Sequence, residues 1–262
     1  MQIGEPGRAT SAISTASAEA IEVRGRDLCA DLMGKFGFTD YFHLLLTGQT
    51  PTDNQRFFLD LMLVAIAEHG LVPSVQAARM TLAAGPEALQ GAVAAGILGA
   101  GSVILGASEA CAAVLTDGLK RIAGGAKPET AALAIAEEIK ARGERAPGFG
   151  HPMHRPVDPR AERILGLADD KKVSGRAVDF ARELHKAIKR VWKRDLPMNV
   201  SMPIAAVMLD LNFPAGMIKA IPILARTAGL LAHLAEEQAN PIGFRLAAAA
   251  EVAIAYEPTG NP

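Results

Sequence analysis

A chain of 262 residues is long enough to bury a substantial core in one or two domains, and with half of its residues hydrophobic but only 5% aromatic it favours close-packed helices over a β-rich interior. Its 27 basic and 28 acidic side chains leave a net charge of −1 and are spread along the sequence, so electrostatics give no reason to expect a nucleic-acid partner. Cys29 and Cys111 lie far apart without metal-ligand or redox spacing and read as small core residues.

Residues 1–20 are rich in Ser, Thr, Ala and Gly with Arg8 as the lone base, which fits neither a secretory signal nor a membrane span and reads as a flexible segment. Thr52-Asp53 starts a helix that stays apolar on most faces through Ala67. The apolar stretch 91–106 is interrupted by Gly91, Gly96, Gly99, Gly101 and Gly106 and falls short of the roughly 20 residues a spanning helix needs. It reads as a buried helix or pair of helices, and the protein is expected to be cytoplasmic with no membrane partner. Residues 130–141 and 178–192 show amphipathic helical periodicity. No run of alternating strand residues stands out, and the basic clusters at 171–172 and 186–194 read as solvated helix faces.

The densest chemistry lies in Ala146-Pro-Gly-Phe-Gly-His-Pro-Met-His-Arg-Pro-Val-Asp-Pro-Arg160. Pro147, Gly148 and Gly150 predict a tight turn whose backbone approaches a ligand closely, and Pro152, Pro156 and Pro159 deny the segment a regular helix. Asp158 and Pro159 then form an N-cap and a first helical residue. Arg160 carries a planar fork suited to a carboxylate, and His151 an imidazole suited to polarising a carbonyl or moving a proton. Downstream, Arg226 and His233 stand seven residues apart on one predicted helix and so share a face.

Pro-Gly-Phe-Gly-His followed by Asp-Pro-Arg resembles the signature of the citrate synthase superfamily. Other pieces arrive in the family's order: Phe42-His-Leu-Leu-Leu-Thr-Gly-Gln-Thr-Pro51, Glu68-His-Gly-Leu-Val-Pro-Ser74, the segment 98–110, Pro197-Met-Asn-Val200 and Ala225-Arg-Thr-Ala-Gly-Leu-Leu-Ala-His-Leu-Ala-Glu236. The resemblance implies a mainly α, two-domain helical fold in which a small domain, 104–206, is inserted into a large one formed by 21–103 and 207–262, with the active site in the cleft. The modest length is similar to that of the citryl-CoA lyase branch and of the lyase module of ATP-citrate lyase.

By the same resemblance, His69 and His151 contact and polarise a ketoacid and Arg160 and Arg226 hold its carboxylates; His154, where the family usually carries an aromatic residue, is a candidate substrate contact or displaced base, and Glu109 is another carboxylate near the cleft. Gly148, Phe149, Gly150 and Arg155 receive coenzyme A as an acyl-CoA substrate or product, the turn amides serving as anion donors. No metal is implied, and a homodimer or larger homo-oligomer is expected. Two positions depart from the pattern: Ile104 stands where synthases carry an oxyanion-donating histidine, and Ser201 replaces the proton-abstracting aspartate at the catalytic position. The first departure favours a lyase over a condensing enzyme, and the two together leave open a non-catalytic citrate- or CoA-binding homologue.

Overall fold

The computed structural model of the chain describes residues 9–151 and 153–258 and is mainly α, as composition and resemblance predict. The chain divides between Asp60 and Leu61 into two compact units.

The first unit corrects two expectations. Strands β1 (Ser14–Ala16), β2 (Ile21–Val23) and β3 (Arg26–Asp27) form an antiparallel sheet in the order β1-β2-β3, and β1 falls inside the segment expected to be flexible. Strands of two or three residues are too short to display alternation, so local turn chemistry decides instead. Arg24 and Gly25, with φ of 52° and 73°, supply the two left-handed residues of a tight hairpin between β2 and β3. Ser17 Oγ accepts the amides of Glu19 and Ala20 and closes the turn between β1 and β2. A short π-helical turn, Leu28–Leu32, leads to α1 (Phe38–Thr47), and Val23, Leu32 and Leu44 form the core of this unit. Cys29 is exposed here, whereas Cys111 is buried and burial pushes its thiol pKa up.

The division falls inside α2 (Asp53–Ala67). The second unit continues with α3 (Pro73–Ala84), α4 (Leu89–Leu105), α5 (Ala107–Ala123), α6 (Pro128–Ala141), α7 (Pro159–Asp170), α8 (Arg176–Trp192), α9 (Ser201–Asp210), α10 (Ala220–Ala239) and α11 (Gly243–Ala253). Helices α3, α4, α10 and α11 pack on one another, partly through the cluster Val75, Ala78, Leu82, Ala92, Leu230 and Leu234, while α5 to α9 pack among themselves. The small residues of α4 permit the first group to close up, since a Cβ at Gly96 would stand 2.7 Å from Leu230. Only one face of α4 is covered: Ala92, Gly96, Ala100 and Leu105 are buried, yet Leu98 and Val103 are 79% and 84% exposed. The runs Leu89–Ala123 and Ala215–Ala239 are apolar and long enough to cross a membrane on those criteria alone, but the first breaks at Gly101, where φ is 56°, and carries Glu109, Asp117, Lys120 and Arg121.

A buried polar spine joins three of these helices. Arg79, 2% exposed, donates to Glu237 and Glu236 at 2.6 Å each and contacts the carbonyl of Asn240. Glu237 in turn accepts the amides of Ile242 and Gly243 and fixes the start of α11. Each partner satisfies the other, which is the condition for burying such charges at all.

Candidate active site

The turn at 147–150 is built for close approach. Gly148 and Gly150 adopt φ of 79° and 85°, and a Cβ on Gly148 would sit 2.8 Å from Cys111 Sγ and from Met202, so glycine is required there on both conformational and steric grounds. Loop 197–199 stitches the turn in place: Gly150 N donates to Pro197 O at 2.7 Å, and Asn199 donates from its backbone to Gly148 O and from Nδ2 to Gly150 O, both at 2.9 Å. These bonds correct the expectation that the turn amides receive an anion. The amides of Phe149 and Gly150 are already spent on Ala146 O and Pro197 O. The Phe149 ring is buried and stacks on His185 at 5.3 Å. Gly148 and Phe149 are buried, Gly150 is half-buried, and Arg155 is exposed nearby in sequence. Pro152 lies outside the described residues.

Asp158 caps α7 as predicted and does more. Fully buried, it accepts Arg160 N, Nε and Nη2 at 3.1, 3.0 and 2.9 Å and Val200 N at 3.0 Å. Burial alone would raise its pKa, but the Arg160 hydrogen bonds and charge outweigh burial and hold the carboxyl below its usual range. The same bonds commit the Nε–Nη2 edge of Arg160 to Asp158 and leave the remaining N–H donors of Nη1 and Nη2 without a recorded partner among the described residues.

Next to this clamp stand three imidazoles. His69 follows α2 and precedes the left-handed Gly70 (φ 73°), its backbone held by Glu68, which accepts the amides of both His69 and Gly70. The other Glu68 oxygen accepts His233 Nε2 at 2.8 Å. Ring centroids of His69 lie 5.7 Å from His151 and 5.6 Å from His154, and His151 stacks on His154 at 4.3 Å. Burial lowers the pKa of His69, aided by the charges of Arg160 and Arg226; burial likewise lowers that of His151, aided by His154 and Arg160 against Asp158. Both imidazoles are therefore neutral at pH 7.

One nitrogen from each of the three rings lies within 4.8 Å of the others, a spacing that would admit a metal ion. The hydrogen bonds of His151 argue otherwise. Its Nδ1 accepts Met153 N at 3.1 Å and His154 N at 3.0 Å, which assigns the proton to Nε2. A protonated Nε2 has no lone pair for a metal and can act as a hydrogen-bond donor.

Arg226 completes the cluster from α10. It is 8% exposed, and its buried Nη1 has no hydrogen-bond partner among the described residues. Burial lowers its pKa first, opposed by Glu68 and reinforced by Arg160. Arg226 and His233 share one face of α10, as their spacing predicts, and both address Glu68. Ser201 is the first residue of α9, its amide donating to Asn199 Oδ1 at 3.1 Å, and no recorded hydrogen bond joins its hydroxyl to His69, His151 or His154. Sequence reasoning missed Glu68 as the support of His69; its position immediately before His69-Gly70 is the signal that could have found it.

Known proteins share this chain's family and fold. The family description "Citrate synthase, C-terminal domain" matches residues 55–246. The solved citryl-CoA lyase of Hydrogenobacter thermophilus superposes with a TM-score of 0.82 at 30% identity, covering 97% of this chain and 95% of that one. Glyoxysomal citrate synthase of Cucurbita maxima is 31% identical over 202 residues, 73% of this chain and 37% of its own length. Citrate/2-methylcitrate synthase of Bacillus subtilis is 28% identical over 209 residues, 78% of this chain and 53% of its own. The chain spans about half the length of the curated relatives it matches. By that family match and that fold, the chain belongs to the citrate synthase family.

Proposed function

We propose that the protein is a CoA-ester carbon–carbon lyase that cleaves a 3-hydroxy-polycarboxyl-CoA such as citryl-CoA to a short acyl-CoA and a 2-oxo acid. The observation that carries this reading is the orphaned Nη1 of Arg226. A buried guanidinium without a partner is costly unless an anion arrives to pair with it, and Arg160 adds a second cation. His151 Nε2–H supplies a neutral donor for the hydroxyl or ketone oxygen. The near-complete mutual coverage with a citryl-CoA lyase supports the lyase branch over the longer synthases. Coenzyme A then lies beside the half-buried Gly150 and the exposed Arg155, and residues 104–206 form the smaller domain closing on it. Likeness to citrate synthases favours a second reading, condensation of acetyl-CoA with oxaloacetate.

Incubation of the purified protein with citryl-CoA is expected to release acetyl-CoA and oxaloacetate, with turnover abolished in His151→Ala. Condensation assayed with the same enzyme separates the two directions. Citrate binding without turnover in either direction makes the protein a binding homologue and removes the lyase reading.

We further propose a homodimer formed through the uncovered apolar face of α4, where Leu98 and Val103 stand open beside small residues suited to helix contact. Sedimentation equilibrium at micromolar concentration is expected to read at least a dimer; a monomer overturns this assembly.

A further inference from the structure

Carbon–carbon cleavage of a 3-hydroxyacyl thioester needs a group that takes the hydroxyl proton and a group that protonates the released carbon. The carboxylates recorded against the histidine cluster cannot serve. Asp158 is fully buried with four hydrogen bonds accepted, three of them from Arg160, and Glu68 is occupied by two amides and His233. Arg160 and Arg226 stay protonated throughout. The acceptor face of His151 is taken by two backbone amides, which leaves it a donor only. His69 sits under the direct influence of both guanidiniums, at the carboxylate end of the cluster.

His154 differs from the carboxylates, the guanidiniums and His151, and it stands apart from His69 in packing face to face on His151 rather than tilted against it. It is half-buried, and among the described residues neither of its ring nitrogens is engaged in a recorded hydrogen bond. Stacking on His151 at 4.3 Å and an edge contact with His69 at 5.6 Å fix its ring. That stacking places a free imidazole beside the His151 ring.

Resting on the lyase reading, we propose that His154 is the acid–base residue of this site. Its neutral imidazole takes the proton of the substrate's tertiary hydroxyl. The O–H electron pair becomes the ketone π-bond, the bond between the carbinol carbon and the acyl α-carbon breaks, and its electron pair passes into the thioester as an enolate. The His154 imidazolium then returns the proton to that α-carbon, releasing acyl-CoA and a 2-oxo acid with no net proton consumed. His151 Nε2–H holds the oxygen throughout, and Ser201 need supply no base. The titratable groups in ring contact with His154 are His151 and His69; Arg160 acts on both of those rings, Arg226 on His69 and Asp158 on His151.

The test uses His154→Ala and His154→Asn in the full-length protein with citryl-CoA, after thermal melting shows both folded. kcat is expected to fall by about 10²- to 10⁴-fold, the usual range for a lost acid–base group. Citrate affinity by calorimetry is expected to stay within about threefold of the parent, because the guanidiniums are untouched. Added imidazole should restore part of the rate in His154→Ala, and the pH-rate limb belonging to the free base should vanish. Turnover within tenfold of the parent, or a loss that imidazole does not restore in a folded variant that still binds citrate, overturns the assignment. Absence of turnover in the parent overturns the lyase reading and this inference with it.

Discussion

Arg226→Met should melt at a higher temperature than the parent in the absence of ligand while losing its hold on citrate. The buried Nη1 has no partner, so the ligand-free fold carries the desolvation of a cation without full compensation. Replacement by an apolar side chain of similar length removes that cost and keeps the packing. A gain of about 1 kcal/mol corresponds to a rise of roughly 2–4 °C for a chain of this size. Loss of two charge-assisted bonds to a carboxylate weakens binding by about 3 kcal/mol or more, on the order of a hundredfold. Arg226→Lys keeps the charge but not the fork and should lose about tenfold. Scanning calorimetry with and without citrate reads both effects; a ligand-free Arg226→Met protein that melts below the parent removes the assignment of Arg226 as a stored anion receptor.

Asp158→Ala should cost about 3–5 kcal/mol of folding free energy, the range for breaking a buried pair and leaving one charge behind. Urea unfolding measures it, and a loss below about 1 kcal/mol would show that the clamp on Arg160 is dispensable. The acid limb supplies an independent check. The folded carboxyl lies below its ordinary value of 3.8, so its contribution is fully present above that value and is lost as pH falls through the lower folded one. The parent should lose stability across that acidic window in a step that Asp158→Ala lacks.

Local chemistry made much of this molecule legible. Helical periodicity located α2, α6 and α8, though α6 and α8 begin two residues before the periodic stretch, at Pro128 and Arg176. The Pro-Gly turn, the Asp158 cap and the shared face of Arg226 and His233 also follow from spacing alone. The rest required knowing which distant groups meet. Nothing in the sequence announces that Asp158 reaches Val200, 42 residues away, or that His233 reaches Glu68, 165 residues away. Arg160 looked like a free fork because its partner, Asp158, had already been read as a helix cap. The turn amides looked available because their acceptors lie on loop 197–199. Short strands held by turn residues escaped a search tuned to alternation.

The stitching of the 147–150 turn and of Asp158 onto residues 197–200 bears on how long the protein survives in a cell. The pocket and the α5–α9 helices share those bonds, so the pocket is intact only when that part of the chain is folded, and a ligand that occupies it withdraws molecules from the unfolded pool by mass action. Under the proposed function, a protease that cuts opened chains meets fewer of them when polycarboxylate is abundant. Supply of the metabolite would then set not only how fast the protein works but how much of it persists.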